Sequence, residues 1–243
     1  MLIEAALNGG RNRTEHPAIP QSPDELAQAA RESVAAGAHA IHFHVRAPDG
    51  RESLASPDVA AAVLAVRAAV PATPFGVSTG AWILRDAALR HKMVADWEVR
   101  PDFASVNFKE DGAADLAALL LSRSVEIEAG LSNTHGAEIL ISSGLAPRCL
   151  RILLEPQQTT IAAAFENLRA IEAALKAAGV KLPLLLHGLD ATAWDLLDAA
   201  AARGYETRVG FEDILTLPTG APAATNAELV AEALRRTSSP ARP

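Results

Sequence analysis

Residues 39–70 read HAIHFHVRAPDGRESLASPDVAAAVLAVRAAV, and two periodicities meet in that stretch. From His39 to Val45 the side chains alternate, Ile41, Phe43 and Val45 on one face and His42 and His44 on the other, which is the period of a β-strand. From Val59 onward, Val59, Val63, Val66 and Val70 recur at helical spacing until Pro71 stops the helix. One strand and one helix joined by a polar loop make a β/α unit. The unit before it has the same form: LIEAALN (2–8), then Ser22-Pro23-Asp24-Glu25 as a capping box with proline at the first helical position, then an Ala-rich helix ending at Gly37. Ser56-Pro57-Asp58 repeats that opening and predicts a second serine cap.

Six further strand-like runs follow: PFGVSTG (74–80), DFASVNF (102–108), SVEIEAGLS (124–132), CLRILLEP (149–156), LPLLLHGL (182–189) and YETRVGFED (205–213). Helical spacing between them is clearest at Ile161, Phe165, Leu168, Ile171 and Leu175, with other helices predicted to start near Asp190 and Asn226. Eight β/α units in 243 residues is the arithmetic of a single-domain (β/α)8 TIM barrel, an α/β fold. We assign it residues 1–236, with 237–243 expected to be a frayed C-terminal tail. The doubly wound alternative lacks a G-x-G-x-x-G after its first strand.

Composition narrows the function classes. Hydrophobic residues make up 49% of the chain and charged residues 21%, enough apolar surface for a large core, which excludes disorder of the whole chain. The formal charge is −7 and no long run of Lys or Arg is present, so neither nucleic acid nor an anionic membrane is expected as a partner. The one cysteine, Cys149, excludes an internal disulfide and a Cys-based zinc cluster, as expected for a cytoplasmic protein. No basic n-region precedes the first apolar segment, and no apolar run is long enough to span a bilayer.

A parallel barrel builds its site where strands end, so polar residues at those ends are the candidates. They are Asn8, His42, His44, Ser78, Thr79, Ser105, Asn107, Glu126, Glu128, Glu155, His187, Arg208, Glu212 and Asp213. His42 and His44 share a face, which suits either a metal or a polar rim. The eighth strand closes on the first and lies two strands from the second, so Glu212 can complete a three-ligand set with one position left open. Two imidazoles and a carboxylate suit Zn²⁺, with other divalent metals possible. Ser78-Thr79-Gly80 offers hydroxyls and amides to a carboxylate or simply makes a turn. Glu126 and Glu128 share a face, where like charges raise a pKa, unless one pairs with an arginine. His187 reads as a structural histidine, and Trp82, Trp97 and Trp194 as packing. Arg11 and Arg13 follow a Gly-rich loop, from which they reach either an anionic substrate or solvent.

With those residues placed, the chain resembles the β-keto acid cleavage enzyme family. The matching pieces are AALNGG, IPQSPDELAQAARESVAAGAHAIHFHVRAPDGRES, VSTG, FASVN, VEIEAG, RVGFEDIL and TNAELV, in order over nearly the whole chain. The resemblance implies a metal-dependent enzyme, usually with zinc, that condenses a β-keto acid with acetyl-CoA and releases acetoacetate and a new acyl-CoA. It also implies His42, His44 and Glu212 as metal ligands and Asp213, oriented by Arg208, as the base. Ser78 and Ser105, with Thr79 and Asn107 beside them, match positions at the substrate, Glu128 matches an acid lining the same pocket, and a homo-oligomer, a tetramer in the family, is expected. Two departures bear on the reaction. Arg11 stands where members acting on amino-bearing substrates carry an acid, which favours a neutral or anionic keto acid. LLEPQQTT replaces the family's strand-six segment, so a CoA-independent lyase or aldolase is the alternative, and a non-catalytic ligand-binding barrel is the third.

Overall fold

In the computed structural model, which describes residues 1–238, eight parallel strands close on themselves in chain order, the first pairing with both the second and the eighth. They are β1 (Ile3–Ala6), β2 (Ala40–Phe43), β3 (Phe75–Ser78), β4 (Phe103–Asn107), β5 (Glu126–Leu131), β6 (Arg151–Leu154), β7 (Leu184–Leu186) and β8 (Glu206–Val209). Each is shorter than the apolar run that predicts it, because the runs continue into loops once hydrogen bonding to the neighbouring strand stops. The outer ring is α1 (Pro23–Ala35), α2 (Ser56–Ala69), α3 (Ala87–Ala95), α4 (Ala113–Ser122), α5 (Thr134–Ser143), α6 (Ile161–Ala177), α7 (Ala193–Arg203) and α8 (Asn226–Ser238). This is a single-domain (β/α)8 barrel. Thr237 and Ser238 of the expected tail belong to α8, and residues 239–243 lie outside the described residues. Among the described residues no helix is long and apolar enough to cross a membrane.

The predicted capping box opens α1: Ser22 Oγ accepts from Glu25 N, and the Glu25 carboxylate accepts from Ser22 N at 3.0 Å. The second cap differs. Ser56 is already helical, the capping position is Ala55, and Ser53 does the polar work by accepting from Ala55 N and donating to Asp58. Apolar residues facing out of the strands meet apolar faces of the helices in one continuous core, including Ile41 and Phe43 of β2, Val63 and Val66 of α2, and Leu168 and Ile171 of α6. Burying each such side chain contributes about 1.5–3 kcal/mol. The residues pointing inward include charges: Glu4, His42, Glu128, Arg151 and Arg208 are all 5% exposed or less. Buried charge is tolerated only with partners, so the barrel interior is where chemistry is to be sought.

Candidate metal centre

His42 stands on β2 and His44 just beyond it, both turned inward by the strand period. Glu212 arrives from the other side of β1 by a route that strand spacing does not give. β8 ends at Val209, and the amides of Asp213 and Ile214 both bond Gly210 O at 2.9 Å, folding the chain into a tight turn. Consecutive residues on a strand would point to opposite faces; the turn lets both Glu212 and Asp213 reach back to Arg208. Gly9, with φ +53°, lies against the Glu212 side chain, where a Cβ would collide with it.

The three side chains then face one another. Glu212 Oε2 is 3.6 Å from His42 Nε2, and Glu212 Oε1 is 3.4 Å from His44 Nε2. Around a tetrahedral zinc with bonds of about 2.0–2.1 Å, ligand atoms stand roughly 3.4 Å apart, so this spacing fits three ligands about one ion. Glu212 Oε2 is buried without a hydrogen-bond partner, a vacant acceptor in keeping with that role. The electrostatics differ between the histidines. Burial holds His42 down at about 3, whereas Glu212 and Glu52 more than reverse the effect of burial on His44 and raise it to about 9. A metal would therefore displace a proton from His44 at neutral pH.

Arg208 is the electrostatic hub. Its guanidinium donates to both oxygens of Asp213, at 2.7 and 3.2 Å, and to Glu212 Oε1 at 3.1 Å. His187 Nδ1 lies 3.3 Å from Asp213 Oδ1. Burial pushes the Asp213 carboxyl up, but Arg208 and His187 pull it below the ordinary range, so it stays ionised. Glu155 lies 4.0 Å from the other nitrogen of His187, and burial raises its pKa despite that neighbour.

The remaining predicted residues divide. Ser78, Ser105 and Asn107 line the barrel mouth on β3 and β4, nearly buried. Thr79 Oγ1 donates to Ser105 O at 2.7 Å, so this hydroxyl ties β3 to β4. Arg11 is anchored at the rim, with Nε donating to Glu212 O at 3.1 Å and a terminal nitrogen on Asp190 at 2.5 Å. Asn8 clamps the backbone of His44, accepting from its N–H at 2.8 Å and donating to its carbonyl at 3.0 Å. Two acids are not where the strand-end reading puts them. Glu126 stands exposed at the N-terminal end of β5, and Glu128 is fully buried deeper in the barrel, its carboxylate 3.1 Å from Arg151.

Three contributors escape the sequence reading. Glu4, an acid in the middle of β1, lies with His42 and Glu128 so that their ligand atoms are within 4.8 Å of one another. Glu52 contacts His44 Nδ1 at 2.5 Å. Trp82 is not core packing: it is half exposed and stacked on the His44 ring. A lone carboxylate inside an apolar strand was the available signal for Glu4; the other two depend on loop geometry.

Residues 1–242 match the family model described as beta-keto acid cleavage enzyme. The chain belongs to the β-keto acid cleavage enzyme family. The family consists of enzymes that cleave carbon–carbon bonds. A curated relative, the 3-keto-5-aminohexanoate cleavage enzyme of Acetoanaerobium sticklandii, is 25% identical over 97% of this chain and 90% of its own length. Its counterpart in Fusobacterium nucleatum is 35% identical over 33% of this chain and 30% of its own length. Among solved structures, ObcA in a ternary complex with a C4-CoA adduct and oxalate superposes with a TM-score of 0.67 at 21% identity, covering 88% of this chain and 62% of ObcA. The binary complex of ObcA with oxaloacetate gives a TM-score of 0.66 at 20% identity. At that identity the likeness is one of fold.

Proposed function

We propose that this member of the family is a zinc-dependent enzyme that condenses a β-keto acid with acetyl-CoA and yields acetoacetate and a new acyl-CoA. The observation that carries the reading is the facing of His42, His44 and Glu212 at ligand spacing, with an ionised Asp213 held by Arg208 beside them. An ion held by those three side chains would supply a Lewis acid that polarises the keto oxygen and acidifies the neighbouring C–H.

Asp213 takes the proton from the carbon between the keto and carboxylate groups, and Arg208 keeps its carboxylate charged and aimed. That carbon forms a bond to the acetyl carbonyl carbon of acetyl-CoA and displaces the CoA thiolate. The thiolate then attacks the former keto carbon, the original carbon–carbon bond breaks, and Asp213 returns its proton to the acetoacetate carbanion. Atoms balance, with one acyl group exchanged for another on CoA. Ser78, Ser105 and Asn107 hold the substrate carboxylate and keto region, Thr79 fixes the place of Ser105, and Glu128 supports them from deeper in the barrel. Arg11 at the rim favours a neutral or anionic side chain over an ammonium group. Assembly as a homo-oligomer, a tetramer by family likeness, belongs to this reading, as does the cytoplasm as its compartment.

A second reading has one observation behind it. Glu155, at the end of the altered strand six, lies largely buried 4.0 Å from His187, at the end of β7, a juxtaposition of acid and base that suits a lyase that cleaves the keto acid without CoA. Acetoacetate formation across a panel of β-keto acids, with and without acetyl-CoA, separates the two. Turnover only with acetyl-CoA supports the first reading, cleavage without it supports the second, and no cleavage of any member overturns both.

A further inference from the structure

The loop between β2 and α2 folds back on itself. Ala47 N bonds Arg51 O at 2.8 Å, Gly50 turns with φ +85°, and Arg46 and Glu52 pair as an antiparallel bridge. Arg46 pins this hairpin to the β1 loop, donating to Gly9 O at 2.8 Å and Arg11 O at 2.6 Å. The return places Glu52, eight residues after His44, directly behind that imidazole.

There the Glu52 carboxylate accepts from His44 Nδ1 at 2.5 Å and from Trp82 Nε1 at 3.1 Å. The Trp82 ring lies stacked against His44, centroids 5.9 Å apart and planes 22° apart. Gly80 admits that ring, since a Cβ there would collide with it. His42 has nothing equivalent: its Nδ1 is buried without a hydrogen-bond partner. The two histidines of the candidate centre are thus held differently, one by strand geometry and burial, the other by a carboxylate and an indole from two different loops.

We propose that Glu52 and Trp82 are positioning residues for the metal centre: Glu52 fixes the proton of His44 on Nδ1 so that Nε2 presents its lone pair toward Glu212, and Trp82 holds both the ring plane and the carboxylate. A carboxylate behind a ligating imidazole also raises its basicity, and removing such a partner typically weakens metal binding about 10–100-fold. The inference rests on the three-ligand reading and adds to it which loops tune the centre.

The test is the zinc dissociation constant of the purified full chain, measured by competition with a chromophoric chelator, with the fold of each variant checked by circular dichroism. Glu52→Leu is expected to weaken zinc binding about 10–100-fold. Glu52→Gln, which keeps an acceptor but not the charge, should fall between it and the native protein. Trp82→Phe, which keeps stacking but not the N–H, should cost only about 2–5-fold, the smallest effect consistent with loss of one supporting hydrogen bond. If Glu52→Leu does not fold, the ordering native, Trp82→Phe, Glu52→Gln decides. Folded Glu52 variants that bind zinc within about twofold of the native protein overturn the positioning role while leaving the three ligands in place. A native chain that binds no zinc overturns the three-ligand reading itself.

Discussion

At the mouth of the barrel, Glu212 and Asp213 share one guanidinium and sit beside imidazoles; one layer deeper, Glu4 and Glu128 lie together, with Arg151 3.1 Å from the Glu128 carboxylate. Both pairs are shielded from water, and burial alone would push all four carboxyls up. Burial wins at Glu4, which is raised well above its ordinary value with Glu128 adding to the shift, and Glu128 is raised as well. It loses at Glu212 and Asp213, which are held low chiefly by Arg208. What separates the regions is direct contact: Arg208 bonds both acids of the upper pair, with His44 and His187 beside them, whereas in the deeper pair Arg151 contacts Glu128 and is shared with Glu206. The upper pair stays ionised and ready to bind a metal or take a proton, while the deeper pair is pushed toward its protonated form.

The largest effect expected from disturbing this contrast is on the upper pair. Asp213→Asn removes the base while keeping shape and should lower turnover about 10²–10⁴-fold with metal content unchanged. Steady-state kinetics beside metal analysis checks both halves, and near-native turnover would remove Asp213 from the mechanism. Arg208→Met leaves the two upper carboxylates without their guanidinium. Denaturant unfolding at neutral pH should show a loss of about 3–5 kcal/mol, partly regained as the pH falls and the acids protonate.

Glu4→Gln probes the deeper pair. Because the folded-state pKa of Glu4 lies above its unfolded value, its stabilisation is fully present below the unfolded pKa and is lost as pH rises toward the folded one. The Gln variant escapes that loss. Its stability relative to the native protein should improve from pH 4 toward neutrality, by up to about 1.4 kcal/mol per pH unit in the affected range. A difference that does not change with pH would mean that Glu4 does not keep its proton. The smallest expected effect is at the rim, where Arg11→Glu should shift preference from anionic toward amino-bearing keto acids by roughly tenfold in kcat/KM, about 1.4 kcal/mol.

The sequence shows the barrel clearly because each strand is a short apolar run and each helix has its own period; the capping box at Ser22 and the alternation around His42 and His44 need no tertiary information. Glu212 is predicted as part of the eighth strand, but β8 ends at Val209 and Glu212 lies in the turn beyond it. Strand spacing aligns it with Arg208, but the turn at Gly210 is what brings both it and Asp213 inward. Ser56 fails as a cap because Ser53, three residues earlier, already satisfies the loop. Glu52 and Trp82 stay hidden because their contact with His44 exists only after two loops fold together over it. Glu128 shows the limit of the strand-end rule: period two places it inside the barrel, but not how deep.

The most direct test of the account is the metal content of the full chain, purified without added chelator, beside His44→Ala and Glu212→Gln. One divalent ion per chain in the native protein, with zinc the best fit to two imidazoles and a carboxylate, is the predicted result, and both variants should fold and lose it. A folded native protein that holds no stoichiometric metal after reconstitution, or variants that keep full occupancy, would contradict it.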